Sequence, residues 1–273
     1  MLKATPPVTT TTHRMSKVPE VTLLFWLVKL LTTGMGETAS DWMVVQLEPV
    51  PVVLAAAALF AVCLILQLRA PRYIVWRYWL LVAMIGVFGT MVADVAHIVV
   101  GIPYLVSTTT FAAALAGMLF LWWRVERTLS IHTITSPRRE LFYWATVCIT
   151  FALGTAAGDF AAHDLGLGYG GSAVVFAVVF LLPGLAYRFL SWSAVAMFWT
   201  SYIVTRPLGA SIADGLAIAP ARGGLGLGTG EVTLVAFGLT IALVVVLAVR
   251  ERRARAAQSA GGAHVRTTGR ASA

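Results

Sequence analysis

Four of the five aspartates in the chain occupy one slot of a repeated pattern. Phe25-Trp26 is followed by Gly36 and Asp41, Tyr78-Trp79 by Gly89 and Asp94, Tyr143-Trp144 by Gly154 and Asp159, and Phe198-Trp199 by Gly209 and Asp214. In each copy the glycine stands ten residues after the tryptophan and the aspartate fifteen after it. All four aspartates lie in long apolar runs, where an ionised side chain costs about 2.5–3.5 kcal/mol on insertion and therefore faces a cavity, a partner or a proton. Glu37 and Asp41, Thr90 and Asp94, and Thr155 and Asp159 are i,i+4 pairs and share a helical face. His97 comes three residues after Asp94 and His163 four after Asp159, one turn further along. Carboxylates with one or two imidazoles suit a borderline divalent cation such as Mn2+, Fe2+ or Zn2+, and helical bundles build such sites at these spacings. Glu37, Asp41, Asp94, His97, Asp159, His163 and Asp214 are thus the candidate metal ligands. The same carboxylates in a low dielectric could instead share and relay protons. A structural role competes with both, because a residue copied in every repeat often secures the fold, here as a helix cap or a hydrogen-bond acceptor.

Residues that break the repeat mark where a site would be grafted. The slot of Glu37 holds Thr90, Thr155 and Ala210 elsewhere, and the slot of Arg206 holds Thr33, Gly86 and Phe151. Lys29 and Arg206 are the intramembrane bases expected to neutralise acids. Arg206 sits four positions below the Glu37 level, within reach of an interhelical pair.

The elements that must position these groups follow from composition. The 273 residues are 59% hydrophobic and 12% charged, against about 25% charged in a soluble domain. That excludes an ordinary soluble globule and a disordered chain. Eight apolar runs are long enough to cross a bilayer as helices: about 21–41, 49–68, 74–100, 104–123, 141–162, 170–190, 194–217 and 231–249. They are continuously apolar, without the alternation of an outer-membrane barrel. The expected fold class is therefore an all-α membrane protein of eight transmembrane helices in four parallel two-helix repeats, with pseudo-four-fold symmetry about the membrane normal. The repeats are placed at 21–70, 71–127, 137–190 and 191–250, between an unstructured N-terminus (1–20) and an unstructured basic tail (251–273). Met15 is an alternative start. Cys63 and Cys148 lie in apolar runs and imply no disulfide framework.

Basic residues alternate between connections. Lys3, Arg14 and Lys17 precede the first span; Arg69 and Arg72, then Arg124, Arg127, Arg138 and Arg139, fill the second and fourth connections; the tail carries Arg250, Arg252, Arg253, Arg255, Arg266 and Arg270. The opposite loops hold only Arg222. This pattern puts both termini in the cytoplasm and accounts for the net charge of +8 without a nucleic-acid partner, since the tail lacks aromatics to stack on bases. The partner is the lipid bilayer. The aromatic–Trp pairs are expected as interfacial anchors, and each motif glycine as a point of close helix approach. Leu165–Gly170 and Leu225–Gly230 read as matched tight entries into the sixth and eighth spans rather than phosphate loops. Pro207 and Pro183 should bend the spans that hold them.

Residues 25–41 (Phe-Trp-Leu-Val-Lys-Leu-Leu-Thr-Thr-Gly-Met-Gly-Glu-Thr-Ala-Ser-Asp), Phe142–Thr146 and Thr205–Asp214 resemble a bacterial membrane-protein family of four tandem two-helix repeats of unknown function, each with a characteristic tryptophan. The resemblance covers about residues 21–250. It implies eight spans and a bacterial inner-membrane location, but no activity. The functional expectation is a secondary transporter of a small divalent cation or a proton-coupled solute. The alternatives are a membrane-embedded metal-dependent enzyme or redox protein, and a non-catalytic assembly or sensor subunit. Oligomeric state is not legible.

Overall fold

The computed structural model describes residues 16–190 and 193–268, with side chains for 16–186 and 193–256. The proposed start at Met15, and with it residues 1–15, lies outside the described residues. Among the described residues the chain is all-helical: α1 (Leu23–Gln46), α2 (Pro49–Leu68), α3 (Val75–Asp94), α4 (Tyr104–Glu126), α5 (Pro137–Asp159), α6 (Gly168–Leu190), α7 (Ala194–Ala217) and α8 (Thr229–Thr268). Six of them, all but α1 and α7, are long and apolar enough to cross a membrane by length and composition. α1 and α7 are long enough too, but Lys29, Glu37 and Asp41 on α1 and Arg206 and Asp214 on α7 lower their hydropathy.

The odd helices make the core. α1 packs on α3, α3 on α5, α5 on α7, and α7 back on α1. Each even helix lies outside this ring against the following odd helix: α2 on α3, α4 on α5, α6 on α7 and α8 on α1. Burial follows the same division, at 61% of the apolar window of the α5 span and 11% of that of α2. Polar residues are therefore affordable on odd helices, where neighbours satisfy them, and absent from most of the lipid-exposed surface of the even ones.

The motif residues account for the ring. Phe25 touches Trp79 at 5.6 Å between ring centroids, Tyr78 touches Trp144 at 5.3 Å, Tyr143 touches Trp199 at 6.1 Å, and Phe198 touches Trp26 at 5.9 Å. Every aromatic thus reaches the tryptophan of the next odd helix. Trp79, Trp144 and Trp199 are buried. Their burial goes beyond the expectation of interfacial anchors: tilted rings packed on one another across the ring of helices gain contact that a lone interfacial ring does not have. The glycines work the same way. Gly36 packs on Gly86, Gly89 on Phe151, Gly154 on Arg206 and Gly209 on Thr33. In each case the partner is the residue seven beyond the next tryptophan. Absence of a side chain lets the backbones approach.

The ends differ from expectation in three places. Residues Ser16–Val18 are packed rather than loose: Lys17 N donates to the Ile134 carbonyl at 3.0 Å, and Lys17 Nζ reaches Glu140 at 2.6 Å and the Leu68 carbonyl at 3.2 Å. Gln67 donates to the other oxygen of Glu140 at 3.0 Å, so this buried carboxylate is fully engaged. Second, α5 begins at Pro137, and Ser136 caps it by accepting from the Arg139 amide. Arg138 and Arg139, expected in a loop, stand on its first turn and clamp Glu126 at 2.5 and 2.6 Å. Third, α8 is helical through Thr268, past the start of the basic stretch expected to be unstructured; Ala, Arg and Glu are good helix formers and continue the preceding turns. The glycine-rich loops are tight entries: Gly166 and Gly168 at the start of α6, and Gly226 and Gly228 ahead of α8, all have positive φ.

Gly117 on α4 has nothing within 4 Å of where a Cβ would stand. Gly117→Ala should therefore stabilise the protein by about 0.5–1 kcal/mol through lower unfolded-state entropy, read as a small rise in thermal midpoint in detergent.

Candidate functional site

Side chains at equivalent positions of the odd helices form successive layers. Beside the aromatic layer, Tyr78 and Tyr143 share a hydrogen bond of 2.5 Å between hydroxyls, and the hydroxyl of Tyr202 lies beside them. The next layer holds Lys29, Val82, Val147 and Tyr202, all buried. Lys29 Nζ stands 4.1 Å from the centroid of Phe151 and 4.3 Å from that of Tyr202. Among the described residues it has no hydrogen-bond partner. Its expected role as the partner of an acid is therefore corrected: aromatic faces, not a carboxylate, surround the amine.

Arg206 belongs to the layer above and is fully buried. Its Nη1 donates to the Thr33 carbonyl at 3.0 Å. Nη2 contacts the Glu37 carboxylate and the Thr90 hydroxyl, and donates to Thr155 Oγ1 at 2.8 Å. Thr90 Oγ1 in turn donates to Glu37 at 3.0 Å. One guanidinium thus binds residues of α1, α3 and α5 from α7. The fourth position of the Glu37 layer is Ala210, small enough to leave the arginine its path. A charge-assisted network of this kind is strong when satisfied, yet Nε of Arg206 remains without a partner.

The four motif aspartates come next. Glu37 and Arg206 act electrostatically on Asp41, Asp94, Asp159 and Asp214 alike, with opposite sign, so all four lie in range of the same ion pair. Asp214 is buried with Oδ1 unpartnered; the other three are half-buried. Among the described residues none of the four side chains makes a hydrogen bond, so none acts as a helix cap. Asp94 and Asp159 close their α-helices and lead into π-helical turns, Val95–Val99 and Phe160–Asp164, whereas Asp41 and Asp214 lie inside α1 and α7. Such π turns are common at functional sites.

Both histidines make their contacts with groups other than the aspartates. His97 Nδ1 pairs with the Ile102 carbonyl at 3.1 Å and Nε2 with Ser107 Oγ at 3.3 Å, which uses both ring nitrogens to tie the π turn to α4. His163 stacks on Tyr104 at 5.7 Å and meets Tyr169 edge-on at 5.9 Å. Among the described residues no group of three or more His, Cys, Asp or Glu is arranged to hold a metal ion. The candidate ligands are thus not gathered into one metal-binding group: His97 is held within its own hairpin, and His163 packs between Tyr104 of α4 and Tyr169 of α6.

Sequence reasoning missed Thr90 and Thr155 as arginine acceptors, and the Lys17–Glu140–Gln67 cluster. The threonines were visible as slot substitutes for Glu37 and as i,i+4 neighbours of Asp94 and Asp159. A separate cavity of about 670 Å3 lies between α1, α6, α7 and the α4–α5 connection; it is lined mostly by apolar groups such as Trp26, Phe180 and Met197, and holds none of the acids.

The family model described as Repeat of Unknown Function (DUF347) matches residues 24–73, 77–128, 142–191 and 197–253. The chain belongs to the DUF347 repeat family. Each match begins one residue before an aromatic–Trp pair, so the ring contacts described above are made by the opening residues of every DUF347 repeat. No curated protein and no solved structure matches the chain. The residues that break the repeat, Lys29, Glu37 and Arg206, are this DUF347 protein's departures from its own internal pattern.

Proposed function

We propose that this DUF347 protein is a secondary transporter that couples movement of a small cation or solute to protons, with the four aspartates as its outer-facing exchange ring. The observation that carries the reading is the buried Arg206–Glu37 pair, whose Glu37 stands one helical turn from the repeat position that holds Asp41, Asp94, Asp159 and Asp214. Carboxylates grouped in a low dielectric cannot all ionise, and so exchange protons or cations readily. The head-to-tail contacts of aromatics and glycines support a pseudo-four-fold bundle about the membrane normal, with α1 and α7 crossing the bilayer alongside the six more apolar helices. The alternating basic connections support an inner-membrane orientation with both termini in the cytoplasm. Carboxylates without metal-directed histidines favour a transit ring over a resident metal centre.

The test is proton flux in liposomes carrying a trapped pH-sensitive dye, with and without added Mn2+, Fe2+, Zn2+, Na+ or K+. Asp94→Asn and Asp159→Asn should lower flux about tenfold or more, equivalent to about 1.4 kcal/mol at the limiting step, while eluting as folded protein. Wild-type liposomes without flux under every condition, or variants as active as wild type, would overturn the reading. Failure of the aspartate variants to fold would point instead to an assembly role.

A further inference from the structure

We propose that Lys29 is a proton-binding site in the bundle core, cycling between ammonium and free amine below the Arg206–Glu37 layer. The proposal rests on the proton-coupled reading above and assigns its coupling ion to a residue. Lys29 is 1% exposed. Among the described residues its amine has no hydrogen-bond acceptor, and no carboxylate lies within ion-pair distance of it. The equivalent positions of the other repeats hold Val82, Val147 and Tyr202. Filling this layer therefore does not call for an amine.

The ionisable groups around Lys29 are few. α7 brings Tyr202, whose ring lies under the amine, and Arg206, the charged group that acts on it. α5 brings Tyr143 and α3 brings Tyr78, which hydrogen-bond each other. α1 itself carries Glu37 two turns away, already held by Arg206. α2 has only the thiol of Cys63, and α8 carries its acids and bases at Glu231 and from Arg250 onward.

These surroundings set two opposing effects on the proton. Stripping water from an ammonium without giving it an acceptor disfavours the charged form, and the guanidinium of Arg206 repels it. The faces of Phe151 and Tyr202 attract the same ammonium. A free amine needs neither acceptor nor counter-charge at this place. Protonation forms one N–H bond at the Nζ lone pair, with the proton taken from water; release breaks that bond and returns the proton to water. No other bond changes. Because Arg206 bridges Glu37, Thr90 and Thr155, the charge on Lys29 is felt by the layer that supports the aspartates.

The chain has three lysines, Lys3, Lys17 and Lys29. A full-length Lys3→Arg/Lys17→Arg variant labelled with 15N at lysine Nζ therefore reports Lys29 alone. The expected spectrum shows a free-amine resonance that gives way to an ammonium resonance within the pH range where an ordinary lysine stays charged throughout. If that variant does not fold, the wild-type protein gives three resonances, and the one missing in Lys29→Met identifies the site. An ammonium resonance across the whole range would overturn the proposal. Such a result with aspartate-dependent flux intact would leave the transport reading standing; a titrating Lys29 in a protein that moves no protons would keep the site and remove that reading.

Discussion

Arg206→Met should unfold a large fraction of the protein. Arg206 is fully buried and ties α7 to Thr33, Glu37, Thr90 and Thr155. Removing it leaves the carboxylate of Glu37 in the core with only the Thr90 hydroxyl as donor. Breaking a buried ion pair from one side costs about 3–5 kcal/mol, because an uncompensated charge remains. Removing both charges costs far less, and well-packed neutral replacements can be neutral. The double variant Arg206→Met/Glu37→Gln should therefore recover most of the lost stability. The readout is the fraction of protein that stays monodisperse after heating in detergent. Equal losses in the single and double variants would mean that the guanidinium contributes through its packing on Phe151 rather than through its pairing with Glu37.

Gly36→Leu should separate α1 from α3. A Cβ at Gly36 would stand 2.6 Å from the carbonyl carbon of Gly86 and 2.7 Å from its Cα. Both are backbone atoms, so no rotamer change relieves the clash; a helix must move. Overpacking in a tight interior costs about 1–3 kcal/mol, and more where backbone must shift. Displacement of α3 also carries Thr90 away from Glu37 and Arg206, so loss of stability should come with loss of flux. Gly36→Ala should show the same effect at smaller size. The comparison with Gly117→Ala, where a Cβ meets nothing, separates interhelical approach from helix propensity: the first variant should fall in thermal midpoint and the second should rise. A Gly36→Ala protein as stable as Gly117→Ala would show that the α1–α3 contact is looser than 2.6 Å implies.

The sequence alone determined the architecture to a large extent. Low charge and long apolar runs dictate membrane-like helices, because no other segment satisfies its backbone in lipid. The aromatic–Trp, glycine and aspartate spacing identified four repeats, since a spacing kept across four copies reflects one local geometry. Position counting also put Arg206 and Glu37 at compatible heights, because helical rise is fixed at about 1.5 Å per residue.

Contacts between helices were decided only by the tertiary structure. Periodicity gives a residue's height and face, not the helix it meets. The motif tryptophans therefore read as interfacial from composition, and Trp79, Trp144 and Trp199 proved buried against the aromatic of the preceding repeat. Lys29 read as the partner of an acid and proved to lie between Phe151 and Tyr202, because the ring brings α5 and α7, not a carboxylate, to its level. His97 read as a ligand beside Asp94, but the π turn after Asp94 re-aims the ring into its own hairpin. Thr90 and Thr155 are plain polar residues in sequence; only closure of the odd helices into a ring makes them acceptors for a single arginine.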